Sequence, residues 1–378
     1  MDEIDVYRSI GHCIRQIEQN MAVFYEDCYP AAASVNNVYP VVGNDCWTGG
    51  FWSGQLWLAY EWTGDDRFRK AAEKQLPGYQ RRLDERIAID HHDMGFLYIP
   101  SCVAAWKLTG NRDARDTALQ AADQLMNRFH EKAGIFQAWG DLSDPDQSGK
   151  MIIDCTLNVP LLFWASCESG KSHYREAAER HLKASVKYLV RDDSTTFHCY
   201  VFDAASGDPI KGVTAQGASD DSCWTRGQVW GIYGFALAMR LMQDTVFLDA
   251  SVDLSEYYIS HLPEDMIPYW DMVFQSGGEE RDSSAAAIAA AGMLELSDLM
   301  TEEDKATKRR YYDIAIHSLR ALDAYQNCDA RPGQGLLLHS VYSKPHNNGV
   351  DESTLWGDYF YLEALMNAAR KRPSYWYS

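Results

Sequence analysis

The sequence lacks the cysteine spacing and the long apolar runs that mark redox, metal-binding or membrane-spanning proteins. Its nine cysteines are an odd number, and the two that are closest in sequence, Cys155 and Cys167, are too far apart for a Cys-x-x-Cys motif. No apolar stretch reaches the roughly 18 residues of a membrane span. The first residues lack the basic start and apolar core of a signal peptide. We therefore expect a cytoplasmic protein with reduced thiols and no membrane association.

Positive charge is also scarce. The chain of 378 residues has 35 lysines and arginines against 54 aspartates and glutamates, a formal net charge of −19. Nucleic acids and anionic membranes bind clustered positive charge, so neither is expected as a partner. A small acidic ligand is still compatible with this charge, because surface charges are screened over about 8 Å at physiological salt and local cations decide binding. The composition leaves the oligomeric state open.

The hydrophobic pattern predicts helices. Charged residues make up 24% of the chain and hydrophobic residues 46%, an ordinary globular composition. Apolar residues recur at three- and four-residue steps over 4–25, as in an amphipathic helix. No linker rich in proline and glycine divides the chain, so we expect a single domain over residues 1–378.

One layout recurs along the chain. A helix that is apolar on all sides is followed by a helix with one charged face, and the first type must be buried while the second faces water. The six apolar helices are expected to begin near residues 51, 95, 155, 227, 284 and 356. This pattern predicts an all-α fold, an (α/α)6 barrel of six helical hairpins, and an open α-solenoid is the alternative. Residues 194–217, with a β-like run, and residues 329–354 interrupt the pattern as long connections that often cover a site.

Two aspartates stand at the starts of apolar helices, where the inner helices of such a barrel would surround a pocket. Asp154 lies within an apolar run, and burial without a partner raises the pKa of a carboxyl group. A raised pKa suits a general acid. Asp93 directly precedes its helix, so it is either an N-cap or a second carboxylate of the pocket. Two carboxylates facing one pocket are typical of glycoside chemistry.

Other polar and aromatic residues near these helices are candidates for substrate binding. His91, His92 and Asp93 are adjacent, but neighbouring residues on a helix point about 100° apart, so we expect no metal. Arg226 is either paired with an inner aspartate or available to clamp a carboxylate. Trp47 and Trp139 lie outside the apolar helices, where a flat ring could stack on a sugar.

Long tryptophan-rich motifs resemble a known family over about residues 40 to 377. The motifs are DCWTGGFWSGQLWLAYEWTGD, DHHDMGFLY, GIFQAWGD, MIIDCTLNVPLLFWA, DDSCWTRGQVWGIYGFAL, YWD, RDSSAAAIAAAGMLEL and LWGDYFYLEAL. They resemble the unsaturated glucuronyl hydrolases, glycoside hydrolase family 88. The resemblance implies an α/α barrel without a cofactor. It also implies a small unsaturated uronyl oligosaccharide, such as a lyase product of glycosaminoglycan, as the substrate.

The resemblance further implies a hydration reaction and assigns residues to it. Asp154 would protonate C4 of the 4,5-unsaturated uronic acid and then activate water for addition at C5, and Asp93 would be the supporting carboxylate. The hemiketal would open spontaneously and release the neighbouring sugar. The matching positions that would contact the sugar are Trp47, His92, Trp139, His198, Gln216, Arg226 and Trp230. Relatives have histidine where this chain has Ala215, which separates it from them on that side.

The segment 336–349 gives a further hypothesis. Family members that act on sulfated fragments resemble it in having serines and a lysine, so Ser340, Ser343 and Lys344 are predicted to bind a sulfate unless the segment is a solvated loop tip. Three alternatives to the leading function stay open. They are a hydrolase of unsaturated rhamnogalacturonyl or ulvan fragments, a sugar epimerase that uses His92 and His198 as bases, and an inactive carbohydrate-binding barrel.

Overall fold

The helices of the protein form two layers. The structure is a computed structural model that describes residues 3–142, 144, 149–301, 303–369 and 375–377. In chain order the helices are α1 (Glu3–Asn20), α2 (Gly49–Thr63), α3 (Asp66–Asp84), α4 (Met94–Tyr98), α5 (Ala104–Thr109), α6 (Arg112–Met126), α7 (Pro160–Ser169), α8 (Ser172–Leu189), α9 (Thr225–Met242), α10 (Thr245–Ser260), α11 (Ser283–Leu299), α12 (Lys305–Leu322) and α13 (Leu355–Ala368).

The inner layer is a closed ring. It contains α2, α4 with α5, α7, α9, α11 and α13, and each of these contacts the next, with α13 returning to α2. The outer layer contains α1, α3, α6, α8, α10 and α12, each following or preceding its inner partner in sequence. This closure confirms the predicted (α/α)6 barrel and contradicts the open solenoid. Among the described residues, no helix is both long enough and apolar enough to cross a membrane.

Burial explains the two kinds of helix. In α11 every residue from 283 to 297 is buried, because neighbouring inner helices and the outer layer surround it. In α12 only the apolar stripe is buried, including Tyr311, Ala315 and Leu319. Close approach also selects residues: a Cβ on Gly50 of α2 would lie 2.1 Å from the carbonyl oxygen of Phe96 in α4. Only glycine permits that contact between inner helices.

Two segments of the inner layer depart from regular α-helix, one in its middle and the other just before its start. A π-helical turn, Ile99–Val103, joins α4 to α5, so residues 94–109 form one continuous helical segment. A 3-10 turn, Ile153–Leu157, precedes α7, which begins at Pro160 rather than near residue 155 as the pattern predicts. The proline fits the first turn because its missing N–H has no helical acceptor there. Asp154 therefore lies in the 3-10 turn, not in the long helix.

Short antiparallel strands cover the end of the barrel at which α4 and α9 begin. The strands are β1 (Tyr29–Pro30), β2 (Val41–Val42), β3 (Phe129–His130), β4 (Ile135–Phe136), β5 (Lys150–Ile152), β6 (Cys199–Phe202), β7 (Pro209–Val213), β8 (Ser340–Ser343) and β9 (Asn348–Glu352). β6 lies between β5 and β7 in one sheet, which confirms the β-like run in 194–217. β8 pairs with β9, so much of the second interruption is a hairpin rather than an open loop.

Candidate active site

Asp93, His92 and Asp154 form a compact cluster at this end of the barrel. His92 Nε2 lies 3.4 Å from Asp93 Oδ1 and 3.3 Å from Asp154 Oδ1. The two carboxylate side chains are 15% and 17% exposed, so they are largely desolvated yet reachable from outside. The structure thus brings together the two predicted carboxylates and the predicted histidine. The 3-10 turn holds Asp154, and the start of α4 holds Asp93.

The two carboxyl groups have opposite pKa shifts. Burial, together with the negative charge of Asp93, raises the pKa of Asp154 well above its usual value, and the positive charge of Arg226 opposes this only in part. Burial also acts against ionisation of Asp93, but His92, His91 and Asn158 outweigh it and bring the pKa of Asp93 below its usual value. The two shifts therefore favour retention of a proton by Asp154 and loss of a proton by Asp93.

His92 and His198 are neutral at physiological pH. Burial is the main cause that lowers the pKa of His92 to about 4 and that of His198 to about 3. His198 Nδ1 accepts the N–H groups of Ala215 and Gln216 at 3.0 and 3.3 Å, so its proton is on Nε2. The ring also packs on Trp224, with ring centroids 4.3 Å apart. His198 can therefore donate one hydrogen bond from Nε2.

Arg226 is buried and fully engaged with protein groups. It is 2% exposed, and Nη1 lies 3.1 Å from Oδ2 of Asp282. Nη2 donates to the carbonyl oxygen of Tyr342 and to Oε1 of Gln216, each at 2.6 Å. The ion pair with an inner aspartate is thus what the structure contains, and the alternative, a clamp on a substrate carboxylate, stays a prediction. Arg226 instead orients Gln216, whose Nε2 faces away from the guanidinium.

The predicted aromatic residues differ in accessibility. Trp139 is 39% exposed, as a sugar-stacking ring requires. Trp47 is partly buried, donates from Nε1 to the hydroxyl of Tyr342 at 2.9 Å and stacks on Trp356. Trp230 is only 1% exposed and packs between Phe96 and Phe360. Its ring belongs to the core in this structure, and its assignment as a sugar contact stays a prediction.

The predicted sulfate site is only partly available. Ser340 is fully buried in β8, and its hydroxyl bonds Ser283 Oγ at 2.8 Å, so it is not exposed to a ligand in this structure, and its assignment to a sulfate stays a prediction. Ser343 is also buried, and its hydroxyl bonds His346 Nδ1 at 2.7 Å. Lys344 is partly exposed and pairs with Glu280. Both serines are buried although they are three residues apart, because a register shift between Ser340 and Val341 interrupts the alternation of faces along β8, which the expectation of a loop did not include.

His92, Asp93 and Asp154 also resemble a ligand set, since one donor atom from each lies within 4.8 Å of the others. The sequence argument that adjacent residues diverge does not apply to His92 and Asp93, because both precede the helix and converge. The donor set nevertheless fits a cation poorly, because a carboxyl group that keeps its proton is a weak ligand. The absence of a metal stays a prediction.

Asn158 and Tyr342 also shape the site, although neither was predicted from the sequence. Asn158 contacts both aspartate segments, and its Nδ2 lies 3.4 Å from Asp93 Oδ1. Tyr342 joins Trp47 to the Arg226 group. Asn158 follows Asp154 by four residues, a helical spacing that could have identified it. The contacts of Tyr342 are tertiary, and no local pattern signals them.

Comparison with known proteins identifies the family. Residues 14–295 match the model of Glycosyl Hydrolase Family 88. An unsaturated chondroitin disaccharide hydrolase of Streptococcus pneumoniae is 45% identical over 98% of this chain and 94% of its own length. The crystal structure of an unsaturated glucuronyl hydrolase from Streptococcus agalactiae superposes with a TM-score of 0.96 at 43% identity, covering 100% of this chain and 94% of that one.

A further structure of the Streptococcus agalactiae enzyme contains a ligand. It is an aspartate-to-asparagine variant complexed with dGlcA-GalNAc6S, and it superposes with a TM-score of 0.88 at 40% identity over 100% of this chain and 94% of that chain. These similarities extend over nearly the whole chain and agree with the closed barrel and the paired carboxylates. The chain is therefore a glycoside hydrolase that belongs to glycosyl hydrolase family 88, the family of the unsaturated glucuronyl hydrolases.

Proposed function

We propose that this enzyme removes the 4,5-unsaturated uronic acid from the non-reducing end of lyase-generated glycosaminoglycan disaccharides and short oligosaccharides. The observation that carries the proposal is the opposite direction of the pKa shifts of two adjacent carboxyl groups, raised at Asp154 and lowered at Asp93. Support for the substrate class comes from relatives named for chondroitin disaccharides and from the dGlcA-GalNAc6S complex of a relative.

In the proposed reaction Asp154 acts first as an acid and then as a base. Its proton passes to C4 of the vinyl ether, and positive charge develops at C5, stabilised by the ring oxygen. Water adds to C5 and returns a proton to Asp154, so the carboxyl group is regenerated. The resulting hemiketal opens to a ketone at C5 and a hemiacetal at C1, which releases the neighbouring sugar. Ionised Asp93 favours the developing positive charge.

The residues around the pair supply contacts for an uncharged ring and one carboxylate. The Nε2–H of His198 and the Nε2 amide of Gln216 are hydrogen-bond donors, and the faces of Trp47 and Trp139 suit a sugar ring. We expect a small oligosaccharide as the partner, with no nucleic acid or membrane, and a single catalytic domain located in the cytoplasm. The net charge of −19 disfavours the intact polyanion.

Loss of ultraviolet absorption tests the function, because the conjugated double bond of the substrate absorbs and the product does not. We expect wild-type protein to bleach unsaturated chondroitin disaccharides and to release the partner sugar in equal amount. A panel that varies linkage and sulfation, with rhamnogalacturonyl and ulvan fragments included, ranks the substrates. Faster bleaching of the rhamnogalacturonyl or ulvan fragments than of the chondroitin disaccharides would favour the alternative that the enzyme is a hydrolase of those fragments. Sugar binding without bleaching would contradict the proposal.

The epimerase alternative has little chemical support. An epimerase of the predicted kind needs a histidine that accepts a proton from carbon, and burial lowers the pKa values of His92 and His198 to about 4 and about 3. Such weak bases are poorly matched to that step at neutral pH. An epimerase would also leave the ultraviolet absorption unchanged, so the same assay separates the two reactions.

A further inference from the structure

We propose that Asn158 is a positioning residue that caps the helix following Asp93 and so leaves the Asp93 carboxylate free to face Asp154. Residue Asp93 occupies the N-cap position of α4. The inference rests on the proposed function, because it concerns the ionised state of Asp93 during the reaction.

An aspartate at an N-cap normally accepts an N–H of the first turn of its own helix. Asp65, Asp244 and Asp282 do so at the starts of α3, α10 and α11. The Asp93 side chain makes no such bond. The N–H of Phe96, three residues into the turn, instead donates to Oδ1 of Asn158 at 2.8 Å. Asn158, which lies in another segment, therefore caps α4 in place of Asp93.

The capping bond fixes which end of the Asn158 amide faces the carboxylates. Because Oδ1 accepts from Phe96, the two hydrogens of Nδ2 point to the other side. Nδ2 lies 3.4 Å from Asp93 Oδ1 and 3.3 Å from the carbonyl oxygen of Asp154. These contacts are long, and a donor near a carboxylate favours its ionised form. Catalytic hydrogen bonds of this kind commonly tighten when substrate binds.

Packing holds the amide in place. Asn158 is fully buried and directly follows the 3-10 turn that holds Asp154. A Cβ on Gly95 would lie 2.3 Å from Cα of Asn158, so the first turn of α4 rests on the Asn158 backbone. The start of α4 and the Asp154 turn thus meet at one residue. Its single side chain satisfies a helix N–H and donates toward both aspartate segments.

Two substitutions separate the capping bond from the donor. Asn158→Asp keeps an oxygen for the Phe96 N–H and removes the donor to Asp93. Asn158→Ala removes both, so the Asp93 side chain is free to turn and cap its own helix. Because the new carboxylate of Asn158→Asp also repels ionised Asp93, the uncharged Asn158→Ala is the decisive variant, and a purely structural role predicts that it retains the wild-type acid limb. A positioning role predicts that both variants lose the stabilisation of ionised Asp93.

The test is the pH dependence of kcat for bleaching an unsaturated chondroitin disaccharide. We expect the acid limb, which reports ionisation of Asp93, to move to higher pH by roughly one unit in both variants, the shift that one charge-assisted hydrogen bond supports. We expect kcat to fall more than KM changes, and to fall further in Asn158→Ala. Asn327→Asp, a buried asparagine in the segment after α12, is the control and should keep the wild-type acid limb.

The outcomes distinguish the two proposals. If wild-type protein bleaches the unsaturated disaccharide and Asn158→Ala keeps the wild-type acid limb and kcat, the proposed role of Asn158 is overturned. The proposed function stays intact in that case. Wild-type protein that bleaches none of the substrates would overturn the proposed function and this role with it. Circular dichroism and thermal melting establish folding, and if Asn158→Ala is unfolded, Asn158→Ser, which also lacks the amide and adds no charge, takes its place.

Discussion

His92 Nε2 lies 3.3 Å from Oδ1 of Asp154, which is buried and has no hydrogen-bond partner among the described residues. Burial lowers the pKa of this histidine to about 4, so the imidazole is neutral at physiological pH and contributes no charge to the site. A neutral imidazole can donate one hydrogen bond to the carboxyl groups on either side. In the proposed reaction the proton for C4 then comes from Asp154, the group whose pKa burial and Asp93 raise.

Replacing Asp154 by asparagine tests the acid directly. The amide keeps the shape of the side chain but cannot deliver a proton, so we expect bleaching to fall by about 10²- to 10⁴-fold or more. The folded state should persist in circular dichroism and thermal melting. Asp208→Asn, at an exposed turn, is the matched control and should retain full activity. Bleaching near the wild-type rate by Asp154→Asn would contradict its assignment as the acid.

Replacing Asp93 by asparagine should change the pH profile as well as the rate. Catalysis requires protonated Asp154, so the alkaline limb of the profile reports its pKa. The negative charge of Asp93 helps raise that pKa, and its removal lowers the pKa, so the alkaline limb should move to lower pH. We expect kcat to fall at least about tenfold at the optimum. An unmoved alkaline limb would show that the two carboxyl groups are not coupled.

Lys344→Ala tests what is left of the predicted sulfate site. Lys344 pairs with Glu280 in this structure, and it must exchange that partner to bind a sulfate. We expect the ratio of kcat/KM for sulfated over unsulfated disaccharides to fall by about tenfold, the effect of one charge-assisted hydrogen bond. Ser340→Ala is the comparison, because its buried hydroxyl bonds Ser283, and it should leave the ratio unchanged. An unchanged ratio in Lys344→Ala would remove this residue from the binding site.

A second buried carboxyl group, Glu363, should make stability depend on pH. It accepts a hydrogen bond from Trp376 Nε1 at 2.6 Å, and burial raises its pKa to about 8, above the value of about 4.3 in the unfolded chain. The folded state therefore holds the extra proton between these values. Its contribution to stability is complete below about pH 4.3 and is lost as the pH rises toward 8, at about 1.4 kcal/mol per pH unit.

Glu363→Gln should remove that slope. The free energy of unfolding of the variant, measured in urea at a series of pH values, should exceed that of wild-type protein increasingly from pH 5 to pH 8 by roughly the same slope and then level off. Glu264→Gln, at an exposed position, is the control and should follow wild-type protein. Parallel curves for Glu363→Gln and wild-type protein would show that Glu363 is already ionised in the folded state.

The helical framework could be predicted from the sequence because the burial of a helix determines the pattern of apolar residues along it. An inner helix such as α11 is apolar all round and an outer helix such as α12 is apolar on one stripe, and both patterns follow from their surroundings. Asp154 was also recognisable, since burying a carboxyl group among apolar residues costs free energy and therefore indicates a functional or hydrogen-bonding role. The burial of Trp230 and Ser340 was not predicted, because a residue type near a pocket does not determine which way its side chain points.

The sequence by itself determined the two layers of helices, the family and the pair of aspartates, because periodicity and motifs are properties of neighbouring residues along the chain. Only the tertiary structure decided which groups act on those aspartates. Asn158 caps the helix of Asp93, Asp282 holds Arg226, and strand β8 turns Ser340 inward. Each of these contacts joins segments that are far apart in sequence, and the desolvation that sets the pKa values exists only once the barrel has closed around them.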